Sequence, residues 1–141
     1  MVVNLPAPYS LNVASMFTQE FFEVLRQKVS ADGVCTVFLG SPLDPAGADL
    51  TQGPILAAML RAFPDVLAIS SLNCQNTVVL GSSGSLGNVR EWRVRLRSHG
   101  QNRFALYSRQ QLAALTEGFS PSSLNDLRIC AALNRTLWEG P

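Results

Sequence analysis

The spacing of apolar residues predicts a helix close to the N-terminal end of the sequence. Phe21, Leu25 and Val29 recur every four residues and form one apolar stripe. Thr18 stands just before this pattern, where its hydroxyl suits a helix N-cap. Residues 2–3, two valines ahead of a Pro-rich loop, are typical of the end of a buried strand.

Three apolar runs rich in β-branched residues predict further strands. The run at 34–39 is continuously apolar, which favours a central strand covered on both faces. We expect it to be the most buried strand and to run parallel to residues 1–3. The runs at 66–70 and 78–80 are separated by the Asn-rich segment 73–76, which predicts a tight antiparallel connection.

The remaining pattern adds helices and one segment that stays ambiguous. Residues 54–63 predict a helix that begins with proline. In 89–98 arginines alternate with apolar residues, which permits an exposed strand and also a short helix. Ser108 and Gln111 have the spacing of a capping box, and a last helix is predicted from residues 120–121.

The order strand, helix, strand, helix, strand pair predicts an α/β fold. It is typical of the C-terminal half of a doubly wound sheet, mostly parallel with an antiparallel edge strand, followed by C-terminal helices. We divide the chain into a partial domain at 1–83, a linker with an Arg-rich segment at 84–107, and a helical segment at 108–141. No G-x-G-x-x-G loop follows any predicted strand.

Composition narrows the functional classes. Hydrophobic residues make up 47% of the 141 residues and charged residues 15%, below the quarter or so that is usual. Part of the surface is therefore expected to be apolar. Eleven basic and ten acidic residues nearly cancel, which gives no electrostatic case for nucleic acid binding.

Cysteine and histidine usage argues against a metal site. Cys35, Cys74 and Cys130 are isolated, which is typical of small buried residues in a reducing compartment, so we expect a cytoplasmic protein. His99 is the only histidine, and this disfavours a His-based metal site or a catalytic triad. No apolar run approaches the roughly 20 residues that span a bilayer, and we expect no membrane segment or signal peptide in this chain.

Several motifs resemble the spermidine synthase family, the polyamine aminopropyltransferases, and among them the spermidine synthase-like proteins of bacteria. They are "MFTQEFF" at 16–22 with the strand entry "VSADGV" at 29–34, "AAMLRAFPDVLAI" at 57–69, and "NTVVLGSS" at 76–83. The resemblance covers about residues 1–83, and the tail resembles the family's closing helices only loosely.

The resemblance implies a Rossmann-like methyltransferase fold and a transferase that moves an aminopropyl or methyl group. The resemblance also implies that S-adenosylmethionine or its decarboxylated form is the cofactor of the full domain. Residues 1–4 resemble the strand that follows the cofactor-binding half, so we expect no cofactor in this chain alone. The expected partners are the missing N-terminal half or another chain, and the exposed sheet edge predicts self-association.

The same resemblance suggests five site positions at the carboxyl ends of the strands. The family's catalytic Asp corresponds to Asn4, which can hydrogen-bond an amine but cannot accept its proton. A Gln–Glu pair that binds the amine in the family corresponds to Ser41 and Asp44, and Pro6 and Tyr9 complete the substrate-binding set. Polyamine transfer by this chain alone is therefore not expected.

Each of these positions also has a purely structural interpretation. Asn4 can cap its loop, Tyr9 can cover the end of the sheet, and Asp44 before a proline suits a turn. The arginines of 90–97 suit a solvated face, or a site for phosphate or an acidic partner. At the level of the whole chain, the alternatives are a non-catalytic α/β interaction module completed by another chain, and a remnant without activity.

Overall fold

The strands and helices follow one another along the chain in the predicted order, and the structure adds one strand that the pattern does not predict. The structure is a computed structural model, and it describes residues 15–71, 73, 75–101 and 103–125, together with the backbone of 2–5. The elements are β1 (Val2–Leu5), a 3-10 turn (Ser15–Phe17), α1 (Gln19–Lys28), β2 (Val34–Phe38), α2 (Gln52–Ala62), β3 (Asp65–Ser71), β4 (Asn76–Ser82), α3 (Val89–Ser98), β5 (Phe104–Tyr107) and α4 (Arg109–Leu115).

The described strands form one sheet in the order β1-β2-β4-β3-β5. Only β1 and β2 pair in parallel, and the pairs β2–β4, β3–β4 and β3–β5 are antiparallel. The predicted fold class, a mostly parallel Rossmann-like sheet with an antiparallel strand at its edge, is therefore wrong. The reason is that the β3–β4 hairpin inserts β4 between β2 and β3, so that the reversed strand lies inside the sheet and has two antiparallel neighbours.

Two of the expected strand pairings are confirmed. Val2 lies opposite Val34 in the parallel pair, and Ile69 lies opposite Val78 in the hairpin. The expectation that β2 is the most buried strand is wrong, because its burial alternates along the strand while β4 is buried along most of its length. Only one face of β2 is fully covered by the described residues.

The first face of the sheet carries the main core. Residues of the 3-10 turn, of the strands β2 to β5 and of the helices α1, α2 and α4 pack there, and the three helices lie over the strands. The Phe22 and Phe63 rings meet edge to face at 6.4 Å between centroids, and both side chains are buried. Gly81 of β4 leaves room for Phe63, since a Cβ at this glycine would lie 2.6 Å from the ring. We call this side of the sheet the core face.

The opposite side has a smaller cluster, and we call it the α3 face. Its buried residues are Leu67, Leu80 and Leu106. The Arg-rich segment is a helix and not a strand, and its residues Val89, Trp92 and Leu96 pack on this cluster. Their spacing of three and four residues is that of one helix side.

Side-chain caps fix the starts of two helices as the sequence predicts. The Thr18 hydroxyl accepts a hydrogen bond from the Phe21 amide at 3.4 Å, and Ser108 and Gln111 form the complete capping box of α4. The last predicted helix lies largely outside the described residues. Within the described part of the chain, no helix has the length and apolar character needed to cross a membrane.

Candidate functional site at the carboxyl edge of the sheet

The sequence-predicted positions divide between two strand ends at one edge of the sheet. Asn4 lies within β1, opposite Thr36 of β2, one residue before β1 ends. Ser41 and Asp44 lie in the loop that joins β2 to α2. Because β1 and β2 are parallel, their carboxyl ends lie at the same edge. Pro6 and Tyr9 lie outside the described residues.

Ser41 is held by the first turn of α2. The side-chain amide of Gln52 donates to the Ser41 hydroxyl oxygen at 2.6 Å and lies 3.3 Å from the Pro42 carbonyl oxygen. Gln52 is 3% exposed, so this polar side chain is satisfied by the loop and not by water. In the described structure the Ser41 hydroxyl fastens the loop to the helix.

A buried polar network that sequence reasoning missed holds the middle of the same loop. The Leu43 amide donates to the hydroxyl oxygens of Ser70 at 3.2 Å and Thr77 at 3.1 Å. The Leu43 carbonyl accepts from the Tyr107 hydroxyl at 3.2 Å. Ser70 and Thr77 are polar positions inside otherwise apolar runs, which was the available signal, but only the folded sheet brings them to Leu43.

The environment of Tyr107 disfavours its ionised form. Burial raises the pKa of Tyr107, and the negative charge of Asp44 raises it further. The phenol therefore stays protonated and remains the donor to the Leu43 carbonyl. It contributes a fixed hydrogen bond to the loop and is a poor general base.

Asp44 is exposed and supports the turn that follows it. Its Oδ1 accepts from the Ala46 amide at 2.8 Å, and its carbonyl accepts from the Gly47 amide at 3.1 Å. Gly47 has a φ of +155°. This arrangement is the turn chemistry typical of Asp before proline. A role of Ser41 or Asp44 in substrate binding stays a prediction.

The backbone donors along this edge are occupied by the protein's own side chains. The Gly40 amide donates to Asn76 Oδ1 at 3.0 Å. At the start of α2, Asp49 Oδ1 accepts from the Thr51 amide at 2.8 Å and from the Gln52 amide at 2.6 Å. Free backbone amides of this kind are what binds an anionic group of a ligand. At these three positions the described edge therefore has no free amide for the carboxylate of S-adenosylmethionine. That this chain alone binds no cofactor stays a prediction.

Metal ligation and thiol chemistry find little support in the described residues. Among them, no three His, Cys, Asp or Glu side chains are grouped as a metal site. Burial raises the pKa of the Cys35 thiol to about 12. The reactive thiolate is therefore scarce at neutral pH.

The fold has a solved counterpart. It matches the crystal structure of a probable spermidine synthase from Corynebacterium glutamicum ATCC 13032 with a TM-score of 0.60 and 20% sequence identity. The match covers 77% of this chain and 41% of that chain. The fold is spermidine synthase-like.

This chain therefore spans only about two fifths of the length of the solved structure that it matches. No protein-family profile matches the sequence. No curated protein matches it either.

Proposed function

We propose that these residues form one part of a spermidine synthase-like transferase domain and do not transfer an aminopropyl or methyl group by themselves. In the complete domain, this part supplies the carboxyl edge of two parallel strands to the polyamine side of the site. The cofactor is bound by residues outside these 141.

The observation that carries the proposal is the closed state of the loop after β2. Gln52 bonds to Ser41, and Ser70, Thr77 and Tyr107 bond to Leu43. A nucleophilic amine needs a group that accepts its proton within hydrogen-bond reach. The Ser41 hydroxyl and the Leu43 backbone bond to other residues of the protein. The two exposed carboxylates of the loop, Asp44 and Asp49, accept hydrogen bonds from backbone amides.

The position that resembles the family's catalytic Asp supports the same proposal. Asn4 has a neutral amide, which accepts hydrogen bonds but not a proton at neutral pH. Putrescine-like substrates are cations, so their amine must lose a proton before it attacks. A chain with asparagine there lacks the base that the family chemistry uses.

Titration calorimetry of the purified chain tests the proposal. We expect no binding of S-adenosylmethionine or decarboxylated S-adenosylmethionine, in the wild-type chain and in Asn4→Asp alike. The reason is that no G-x-G-x-x-G loop, which would bind the cofactor, follows any strand of this sequence. The amides of Gly40, Thr51 and Gln52 are also occupied by side chains of the protein. Saturable binding with a dissociation constant near 1 μM, about −8 kcal/mol, would overturn the proposal, because the cofactor site would then lie within these residues.

A second candidate function is a non-catalytic interaction module that another chain completes. It is favoured by the uneven cover of β2: Cys35 and Val37 are fully buried on the core face, while Val34, Thr36 and Phe38 on the other side are half-buried. Half-covered apolar residues beside an edge strand favour association.

Sedimentation velocity tests this candidate. We expect the chain to self-associate at low micromolar concentration, and we expect Val34→Glu to shift it toward monomer. Val24→Glu on α1 is the matched control, because Val24 is 53% exposed on the outer surface and should leave association unchanged. A wild-type chain that stays monomeric, or equal effects of both variants, would contradict the interaction module.

A reducing compartment such as the cytoplasm is the proposed location. Cys35 is a free, buried thiol, which is typical of proteins that are kept reduced. To test this, the chain is fused to one reporter that is active only in the cytoplasm and to another that is active only after secretion. Activity of the secretion-dependent reporter alone would contradict the proposed location.

A further inference from the structure

The outer surface of α3 carries a row of arginines that neither the core nor the strand edge uses. Arg90, Arg93 and Arg97 are exposed and follow one another at spacings of three and four residues, so they share one side of the helix. Val94 lies beside them and is 64% exposed. We call these four residues the arginine stripe.

The direction in which the stripe faces is fixed by the way α3 is anchored. Asn88 caps the helix by accepting from the Glu91 amide at 3.0 Å and by donating to Glu91 Oε1 at 2.8 Å. The Trp92 indole donates to the Leu86 carbonyl at 2.6 Å, and Gly100 with a φ of +76° ends the helix. The inward side is held on the sheet, and the stripe therefore points to solvent.

Helix stability explains only one member of the stripe, Arg97, whose positive charge suits the last turn of the helix. Arg90 lies in the first turn, where a positive charge opposes the helix dipole. Arg93 and Arg97 repel each other at a spacing of four residues. Among the described residues, no acceptor or carboxylate bonds to these three guanidinium groups, whereas Arg95 lies over the Trp92 ring at 6.0 Å.

The charge of the chain is concentrated in this helix. The whole sequence has 11 basic and 10 acidic residues. The helix α3 has four arginines and one glutamate, so seven basic and nine acidic residues remain for the rest of the chain. The helix is therefore positive and the remainder net negative, which directs an acidic partner to α3 and away from other surfaces.

We infer that the arginine stripe binds an acidic helical segment of a partner protein. Carboxylates at positions i, i+3 and i+7 of such a helix match the spacing of the three arginines, and an apolar side chain between them contacts Val94. Arginine favours this role because its planar group bonds a carboxylate through two parallel hydrogen bonds.

Two other anionic partners fit the surface less well. A membrane surface helix needs a broad apolar side for insertion, but Val89, Trp92 and Leu96 are packed on the sheet and only Val94 is free to insert. A nucleic acid needs an extended basic surface, whereas the net negative charge outside α3 repels a long polyanion.

Binding of a designed peptide to the full chain tests the inference. The probe is a helical peptide, labelled for fluorescence anisotropy, with Glu at i, i+3 and i+7 around a Leu; its matched control has Gln at the three positions. The test variant is R90Q/R93Q/R97Q. The control variant is R26Q/K28Q/R61Q, which removes three exposed positive charges elsewhere on the surface.

We expect the Glu peptide to bind the wild-type chain and the control variant, and the test variant to bind it about tenfold more weakly, given modest contributions from each exposed ion pair. Binding should also weaken between about 20 and 150 mM salt because exposed charges are screened. Circular dichroism of all variants should be alike, since the three guanidinium groups form no hydrogen bond with other described residues.

Three results would overturn the inference. The first is equal binding of the Glu and Gln peptides, or no binding of either. The second is an equal loss in the test and control variants, which would show attraction by net charge alone. The third is tighter binding of phosphatidylserine-containing vesicles or of a single-stranded oligonucleotide than of the Glu peptide, which would assign the stripe to a membrane or a nucleic acid.

Discussion

The two faces of the sheet differ in how completely they are covered. On the core face, three helices and six aromatic or large aliphatic side chains with no exposed surface form the interior: Phe17, Phe22, Ile55, Leu56, Met59 and Leu112. On the α3 face, the cluster consists of three buried leucines covered by one helix, and most of the side chains that pack against it are only partly buried. The core face therefore carries most of the fully buried side chains, and the α3 face is the less completely covered side of the sheet.

The largest effect is expected from a truncation on the core face. Phe22→Ala removes a side chain with no exposed surface that meets the Phe63 ring, and it should lower the free energy of unfolding by about 3–5 kcal/mol. Urea denaturation measures this. The matched variant on the α3 face, Phe104→Ala, removes a half-buried ring and should have less than half the effect; equal effects would remove the difference between the faces.

Crowding on the core face gives a second, smaller test. Gly81→Ala would place a Cβ 2.6 Å from the Phe63 ring and 3.0 Å from Met59, and overpacking should cost about 1–3 kcal/mol. The double variant G81A/F63L separates crowding from other causes. If crowding is the cause, Gly81→Ala costs less when Phe63 has already been replaced by leucine than in the wild type, and strict additivity would contradict it.

One hydrogen bond that anchors α3 can be removed while an aromatic ring stays on the α3 face. Trp92→Phe keeps an aromatic ring but removes the indole donor to the Leu86 carbonyl, and should cost about 1 kcal/mol. Thermal unfolding measures the change. A Trp92→Phe variant as stable as the wild type would show that the hydrogen bond does not hold the helix. Trp92→Leu, which loses the same hydrogen bond and the ring, should be less stable than Trp92→Phe; the reverse order would show that the ring does not contribute.

Alkaline pH should affect the core face selectively. Burial raises the pKa of Cys35 to about 12 and also raises the pKa of Tyr107. Both groups are therefore neutral in the folded chain at a pH where the unfolded chain ionises them. Their contribution to stability is full below the unfolded pKa values of 9.0 and 10.0, and it is lost as the pH rises through the folded values.

Urea midpoints measured between about pH 8 and 11 check this sign. The wild-type midpoint should fall as pH rises, and the fall should be smaller in C35A/Y107F. A midpoint that rises with pH, or an unchanged slope in the double variant, would contradict the assignment to these two groups.

Much of this architecture could be predicted from apolar periodicity, because the features concerned are local. The stripe of α1, the proline start of α2 and the Asn-rich β3–β4 connection each have a short-range cause. The Arg-rich segment was ambiguous because Trp92, Val94 and Leu96 fit a strand by alternation, while Val89, Trp92 and Leu96 fit a helix. The cap at Asn88 and the packing of Trp92 decide for the helix.

The features that were predicted wrongly or missed depend on contacts between residues that are far apart in the sequence. The position of β4 between β2 and β3 is set by pairing across the sheet, and the four residues of β5 are too few to show a period. The network around Leu43 joins residues from three strands and one loop. Ser41 and Asp44 were placed in the correct loop, but their hydrogen-bond partners, Gln52 and the turn at Ala46, were not predictable from spacing.

A product assay shows whether this chain transfers an aminopropyl group by itself. The purified chain is incubated with putrescine and decarboxylated S-adenosylmethionine, and spermidine is measured by mass spectrometry for the wild type, Asn4→Asp and Asn4→Ala. We expect no spermidine above the protein-free control for any of them, because the polar groups of the loop after β2 are occupied and the proposed cofactor site lies outside these residues. Spermidine formed in proportion to wild-type chain, and reduced in Asn4→Ala, would contradict it.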